Sequence, residues 1–422
     1  MSNLLFRNVA LWNASRVLPR VDLRVVDGKI SEISESSLAL RPGEIERDAA
    51  GAALLPAGID LQVHLRVPGQ PHKETAETGL KAARKGGYAA VLTMPNTKPV
   101  IDTPEVLEMA RAQTAPFEKD TGVRVLWSVA MTYGQVGEKA TDAVALKQAG
   151  AVALTDDGVG VFRDDIMEKV FAEAERSNLP LLQHAEVPGH GGVLAEGPVQ
   201  KSLGLKAYPA DAEWKMVARD LDLLARHPKV RYHVLHVSSA ETLRVLREAQ
   251  LKGLSATGEA TPHHLYFSSE DIIPNNTSFK MNPPIRSSSD RKALIEGLRD
   301  GTLAFVSTDH APHEAQMKGE DFKASAYGTT GLETSLRVLL DLHAREELSA
   351  RRLVEVFAKA PAEFIGVADQ FGELEVGRVF RAVLVDPKAA ATPIVDSDLA
   401  SLSHNNIFLG VPLRGRILEV FL

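Results

Sequence analysis

From residue 55 onward the chain alternates eight times, in register, between an apolar run of strand length and an amphipathic run of helical period. The strand candidates occupy residues 54–65, 88–96, 123–131, 151–158, 180–186, 230–239, 254–265 and 303–313. Between them lie helix-patterned pieces such as KETAETGLKAARKGG, TDAVALKQAG, DDIMEKVFAEAERSN, AEWKMVARDLDLLARH, AETLRVLREAQLKG and DRKALIEGLRDG. Several end in the Gly or Asn favoured just past a helix C-terminus. Near-continuous apolar strands, each followed by a helix, specify a parallel sheet covered by helices. Eight such units over roughly 250 residues suit a (β/α)8 TIM-type barrel.

The flanks read differently. Residues 1–54, with LLFRNVALW and VDLRVVDGKISEI, carry strand and turn texture without helical period. After two more helical segments, ETSLRVLLDLHAREE and SARRLVEVFAKAPAEFIG, the same texture returns in GELEVGRVFRAVLVDP and GVPLRGRILEVFL. The expected α/β architecture is a barrel over residues 55–365 beside a small β-sandwich-like satellite domain, built from 1–54 and 366–422.

Composition narrows the function classes. The 422 residues are 44% hydrophobic and 24% charged, an ordinary soluble globular mix. A net charge of −7 with no long basic run argues against nucleic acid as a partner. The absence of cysteine removes disulfides, thiolate nucleophiles and Cys-ligated metals. The N-terminal MSNLLFRNVALWNASRVLPR has no apolar core of signal-peptide length, and no later run is long enough for a bilayer. A cytoplasmic protein with no membrane partner is expected.

In barrels of this kind, catalytic groups sit at the C-terminal ends of the strands. Polar residues cluster there: Gln62, His64 and Arg66 in GIDLQVHLRVPG, Asn96 in MPNT, Asp156 and Asp157 in TDDG, His184 in QHAE, His236 in LHVSS, His263 and His264 in TPHH, and Asp309, His310 and His313 in STDHAPH. Seven of the 13 histidines fall at such ends. Residues i and i+2 of a strand share a face, so Gln62, His64 and Arg66 look the same way. Imidazoles from separate strands with two aspartates can surround a divalent ion at ~2.0–2.2 Å, and this donor mix suits Zn²⁺. Hydrolysis or closure of an amide follows, with Asp309 placed to move the proton.

Blander readings stand beside these. A single strand-end histidine more often packs or hydrogen-bonds than binds metal; the repeated strand-end pattern favours metal. TPHHL admits either one histidine supporting the site from behind or two that merely cap the barrel. The TDDG pair also suits a turn or helix cap. His72, His190, His227, His343 and His404 lie in loop or helix contexts and are read as surface residues.

Taken in order, GIDLQVHLRVPG, KETAETGLKAARKGGYAAVLTMPNTKPVID, ALTDDGVGV, QHAE, HVLHVSS, EATPHHL, KMNPPIR, STDHAPH and the closing SHNNIFLG resemble the dihydroorotases of the long bacterial type, in the amidohydrolase superfamily. The resemblance spans residue 5 to the C-terminus. It implies a (β/α)8 barrel with a β satellite, and the reversible cyclisation of N-carbamoyl-L-aspartate to L-dihydroorotate in pyrimidine synthesis. It further implies that His64, with Gln62 in place of the family's other histidine, and Asp309 face a first zinc. Asp157 would bridge to a second zinc held by His184 and His236, and Asp309 would be the catalytic acid/base. Arg66, Asn96, Asn282 and His313 would grip the substrate, with His64 beside it, and Tyr327–Gly328 would offer backbone where the family usually has Phe-Gly. Implied partners are the small-molecule substrate, a second copy of the chain, and aspartate transcarbamoylase.

Two departures qualify the likeness. Arg-Ala in GRVFRAVLVDP replaces the usual Ala-Asp, within the satellite. Gln62 matters more: an amide is a poor zinc ligand beside imidazole, so one zinc at Asp157, His184 and His236 and a weakened seat at His64, Asp309 and Gln62 are expected. Competing readings are a non-catalytic partner of aspartate transcarbamoylase, which usually lacks most ligands, and another cyclic amidase. Hydantoinases bridge their metals with a carboxylated lysine on the fourth strand, where this chain has AVALTDDG and no lysine.

Overall fold

The computed structural model describes residues 3–422 and shows the eight-fold alternation closing on itself. The barrel strands are Gly58–Val63, Tyr88–Thr93, Arg124–Val129, Ala153–Thr155, Leu181–Gln183, Tyr232–Val234, Ala256–Ala260 and Phe305–Val306, each parallel to its neighbours in chain order. The ring closes beyond the eighth strand, where Val63 bridges His310 and the His64 amide donates to the His310 carbonyl at 2.9 Å.

Eight helices follow the strands: Ala76–Lys85, Pro104–Thr121, Ala143–Gln148, Asp164–Ser177, Asp211–Leu224, Ala240–Leu251, Ser288–Asp300 and Ser335–Ala344. Thr75, Thr103, Asp142, Ser239 and Ser287 each cap a start by accepting from a backbone amide three residues on, which satisfies donors the helix cannot. Pro104–Thr121 is not among the patterned pieces. Its buried positions, Leu107, Ala110, Thr114 and Thr121, include two threonines, and Pro116 lies inside it, so its apolar stripe is faint.

The terminal segments form a separate seven-stranded sheet in the order Arg416–Phe421, Ala382–Asp386, Ala53–Pro56, Leu4–Trp12, Val17–Val26, Lys29–Ser34. It branches at Leu4–Trp12, which also pairs with Ile45–Asp48. Its own core holds Phe6, Leu23, Val25, Phe380 and Phe421.

Three expectations need correction. The candidate strand 54–65 is two strands, because Ala53–Pro56 joins the satellite sheet and only Gly58–Val63 enters the barrel. The candidate 254–265 stops at Ala260; Thr261 caps a short helix, Pro262–Tyr266, that carries His263 and His264. His227 and His343 are half-buried rather than surface residues: His227 sits between Glu168 at 2.9 Å and Glu175 at 3.2 Å, and His343 packs on Trp12 and meets the Leu348 carbonyl at 2.8 Å.

At the barrel's lower end the Phe357 ring fills the space between Gly58 and Tyr88. A Cβ on Gly58 would fall 2.5 Å from that ring, and the Tyr88 ring centre is 5.0 Å away. Phe357→Ala should therefore cost about 3–5 kcal/mol, read as a lower midpoint in urea denaturation, with the mouth of the barrel unchanged.

Candidate active site

At the opposite end, three strand exits turn sharply. Arg66, His236 and Asp309 take φ of 60°, 35° and 48°, the left-handed region that costs a non-glycine residue roughly 1–2 kcal/mol. All three line one cavity of about 280 Å³ with His64, Asn96, Asp157, His184, Asn282, His313, Tyr327 and Gly328. Strained backbone thus recurs at three strand exits where side chains converge.

Asp157 is the hub. Its Oδ1 lies 3.4 Å from His184 Nδ1 and 3.6 Å from His236 Nε2, and its Oδ2 lies 3.2 Å from His64 Nε2. The His184 and His236 nitrogens are 2.9 Å apart, while His64 Nε2 is 3.1 Å from Asp309 Oδ1. Two donor groups result, Asp157/His184/His236 and His64/Asp157/Asp309, sharing Asp157. Gln62 is fully buried and presents its amide nitrogen to Asp157 Oδ1 at 3.2 Å, while its oxygen has no partner among the described residues. It faces the carboxylate as a donor, not the cluster as a ligand.

The electrostatics are those of a cation site. Burial alone would push the Asp157 carboxyl up, but hydrogen bonds from His184, His236 and His64 hold it well below the usual carboxylate range. Burial works against protonating His64 and His184, yet Asp157 with Asp309 lifts His64 to about 9, and Asp157 with Glu186 lifts His184 to about 10. Without a metal the two imidazoles hold protons against the Asp157 carboxylate, and a divalent cation would take the place of those protons. The donor set itself fits a metal: bonds of ~2.0–2.2 Å in a tetrahedron imply donor spacings of about 3.3–3.6 Å, close to those around Asp157. These groups suit a bound divalent cation.

The remaining pocket residues are poised but incompletely partnered. Arg66 reaches the Pro312 carbonyl at 3.3 Å and His313 Nε2 at 3.5 Å. Burial lowers it to about 10, and Asp309 and Asp157 oppose that shift, so it stays cationic at neutral pH. Arg66 Nε, Asn282 Oδ1 and His313 Nδ1 lack partners among the described residues. Asn96 instead touches the cluster, with Oδ1 2.9 Å from His64 Nδ1.

Other expected residues lie elsewhere. Asp156 points away, accepting from Met131 N at 2.7 Å and from Thr132 N and Oγ1 at 3.2 and 2.5 Å. His310 meets Glu74 at 3.2 Å behind the wall. His263 and His264 are buried outside the cavity; His264 contacts Thr261 Oγ1 and the Pro283 carbonyl. Sequence reasoning missed Glu186, whose Oε2 stands 3.4 Å from His184 Nε2 and accepts from Asn282 at 2.9 Å. Its place two residues after His184 in QHAE, hence on the same side of an extended segment, was the available signal.

A family model described as dihydro-orotase-like matches residues 51–242. The chain is 38% identical to a dihydroorotase of Geobacillus thermodenitrificans over 412 residues, covering 97% of this chain and 95% of that one. It is 40% identical to a dihydroorotase of Listeria monocytogenes over 408 residues, covering 96% and 93%. Among solved structures, an L-hydantoinase of Arthrobacter aurescens superposes with a TM-score of 0.88 at 24% identity, covering 100% of this chain and 95% of that one. At that identity the likeness speaks for the barrel-plus-satellite fold alone.

The adjacent aspartates give a sharp contrast. Asp157→Asn should abolish retention of divalent metal through dialysis. Asp156→Asn should leave metal content unchanged and lower stability by about 1–3 kcal/mol, through its bonds to the Met131–Thr132 turn.

Proposed function

The chain belongs to the dihydroorotase family, and from that premise we propose that it catalyses the reversible closure of N-carbamoyl-L-aspartate to L-dihydroorotate in pyrimidine synthesis, with Asp309 moving the proton. The observation that carries this reading is the placement of Asp309 at the rim of the Asp157 cluster, 3.1 Å from His64, in a cavity that also presents the Arg66 cation. A carboxylate, a cation-binding hub and a guanidinium around one small space match a substrate with both a carboxylate and an amide.

Asp157, His184 and His236 would hold one zinc ion. When bound, zinc supplies a Lewis acid that acidifies water and polarises an amide carbonyl. In the hydrolytic direction Asp309 hands a proton to the departing ring nitrogen; in synthesis it takes one from the carbamoyl nitrogen. Arg66 gives the substrate carboxylate a charge-assisted, fork-shaped grip. Asn282 and His313 bring free polar atoms to the ring, and the backbone at Tyr327–Gly328 completes the wall. Asn96 orients His64. The His64/Asp157/Asp309 seat lacks a ligand from Gln62, whose nitrogen faces Asp157, and is the weaker of the two.

The test is turnover of dihydroorotate by purified protein, followed by ultraviolet absorbance, with and without zinc and aspartate transcarbamoylase. Activity of the chain alone is expected. Activity only with the transcarbamoylase would mark a complex-dependent enzyme, and none under any condition would mark a non-catalytic partner. Asp309→Asn should lower kcat about 10²–10⁴-fold with metal at the Asp157/His184/His236 group retained. Gln62→His should raise the zinc kept after dialysis from about one to about two per chain, since it restores an imidazole ligand; two per chain in the unaltered protein would contradict the one-zinc reading.

A further inference from the structure

Two lysines lie beneath the segment that closes the pocket, and nothing described so far uses them. Lys318, ending the turn Ala315–Lys318, donates to the carbonyls of Ala326 at 2.9 Å, Gly328 at 3.0 Å and Lys280 at 3.4 Å. Lys280, only 2% exposed, donates to the carbonyls of Ser325 at 2.6 Å and Lys323 at 3.1 Å. Its Nζ stands 4.4 Å from the centre of the Tyr327 ring, within cation–π range. Neither ammonium pairs with a carboxylate among the described residues. Cations placed so are costly, and what they hold is the stretch ending in two pocket residues, Tyr327 and Gly328. The Tyr327 hydroxyl then donates to the Gly192 carbonyl at 3.0 Å, tying this segment to the loop across the mouth. Gly328 is itself confined: it has a φ of 109°, and a Cβ there would lie 2.7 Å from that of Ala311.

We propose that Lys318 and Lys280 are positioning residues for the reaction, a two-ammonium clasp that fixes the Ala326–Gly328 backbone as a preformed wall for the substrate. The inference rests on the function proposed above. Burial, reinforced by the charge of Lys280, brings Lys318 down to about 7. The charged and titratable groups facing the clasp are few. Lys280 is itself lowered by burial, against Asp321; His313 is brought to about 3 by burial, Arg66, Lys73 and Lys318; Tyr327 is raised by burial and Glu186. Below pH 7 the Lys318 ammonium has three hydrogens for three carbonyls. Above it the neutral amine has two, so one of the three bonds is given up. The Gly328 and Lys280 carbonyls keep second donors in Asn405 and the Gly328 amide, whereas the Ala326 carbonyl has no other among the described residues. The wall should therefore loosen as pH rises through about 7.

The test compares Lys318→Met with the unaltered protein by zinc content, steady-state kinetics on dihydroorotate and hydrogen exchange of amides 320–330. With metal intact, KM should rise about tenfold, kcat should stay within about threefold, and exchange should quicken in that stretch alone. An unchanged KM, or a loss confined to kcat, would overturn the clasp. Should that variant not fold, Lys318→Arg keeps the charge at all relevant pH. The unaltered protein's KM should climb above neutrality while that of Lys318→Arg does not; parallel profiles overturn the proposal. Absence of turnover in the unaltered protein would sink the proposed function instead, and the exchange comparison would still judge the clasp.

Discussion

A buried carboxylate surrounded by imidazoles is the constraint on which the mouth of this barrel depends. Asp157 is 2% exposed, and an isolated anion there would be far too costly to keep. It remains ionised because His64, His184 and His236 arrive from the first, fifth and sixth strands, while Gln62 adds an amide donor. His184 comes from the strand beside that of Asp157 and His236 from the next one along. The contacts from His64 and Gln62, however, form only when the sheet has closed far enough to bring the first strand to the fourth. Folding and site assembly are therefore one event at this end of the barrel, and the strained turns at Arg66, His236 and Asp309 are sustained by the contacts they make.

Around that hub a ring of buried carboxylates secures the strand ends through the backbone. Asp156 binds the amides of the Met131–Thr132 turn, Asp60 accepts from Thr308 N at 3.1 Å, and Glu213 accepts from Ser238 N and Ser239 N. Each links one strand exit to another element and so limits how far a pocket side chain can drift. A site that must hold donors to within a few tenths of an ångström needs such support. This division of labour explains why chemically similar acids at neighbouring positions, Asp156 and Asp157 above all, do different things.

The barrel and the hub were legible because period and position carry them: eight apolar runs give the strands, and polar residues at their ends give His64, Asp157, His184, His236 and Asp309. Part of what stayed hidden depends on partners remote in sequence, and part on a local start signal, Thr261–Pro262, that was read as strand. Pro104–Thr121 has a stripe diluted by threonines, so its tertiary packing rather than its pattern declares it a helix. The split at Ala57 reflects the satellite sheet claiming Ala53–Pro56. TPHHL looked like a strand end, yet Thr261 caps a helix and carries both histidines away from the cavity. The sequence assigns Lys280 and Lys318 no role; only the backbone carbonyls they bind reveal one.

The satellite bears on the mouth through the chain that leads back into it. Ser401 and the Leu402 amide bind Glu74, which also meets His310, the residue after Asp309. Asn405 accepts from the His313 amide at 3.0 Å and donates to the carbonyls of Ala311 at 3.0 Å and Gly328 at 3.3 Å. The segment carrying SHNN thus grips the end of the eighth strand and shares the Gly328 carbonyl with Lys318. The return of the C-terminal chain past the mouth is consequently part of how Asp309 and His313 are aimed. Loosening residues 401–405 should disturb those two side chains before it disturbs the Asp157 hub, because the hub's contacts come from strands that this segment does not touch.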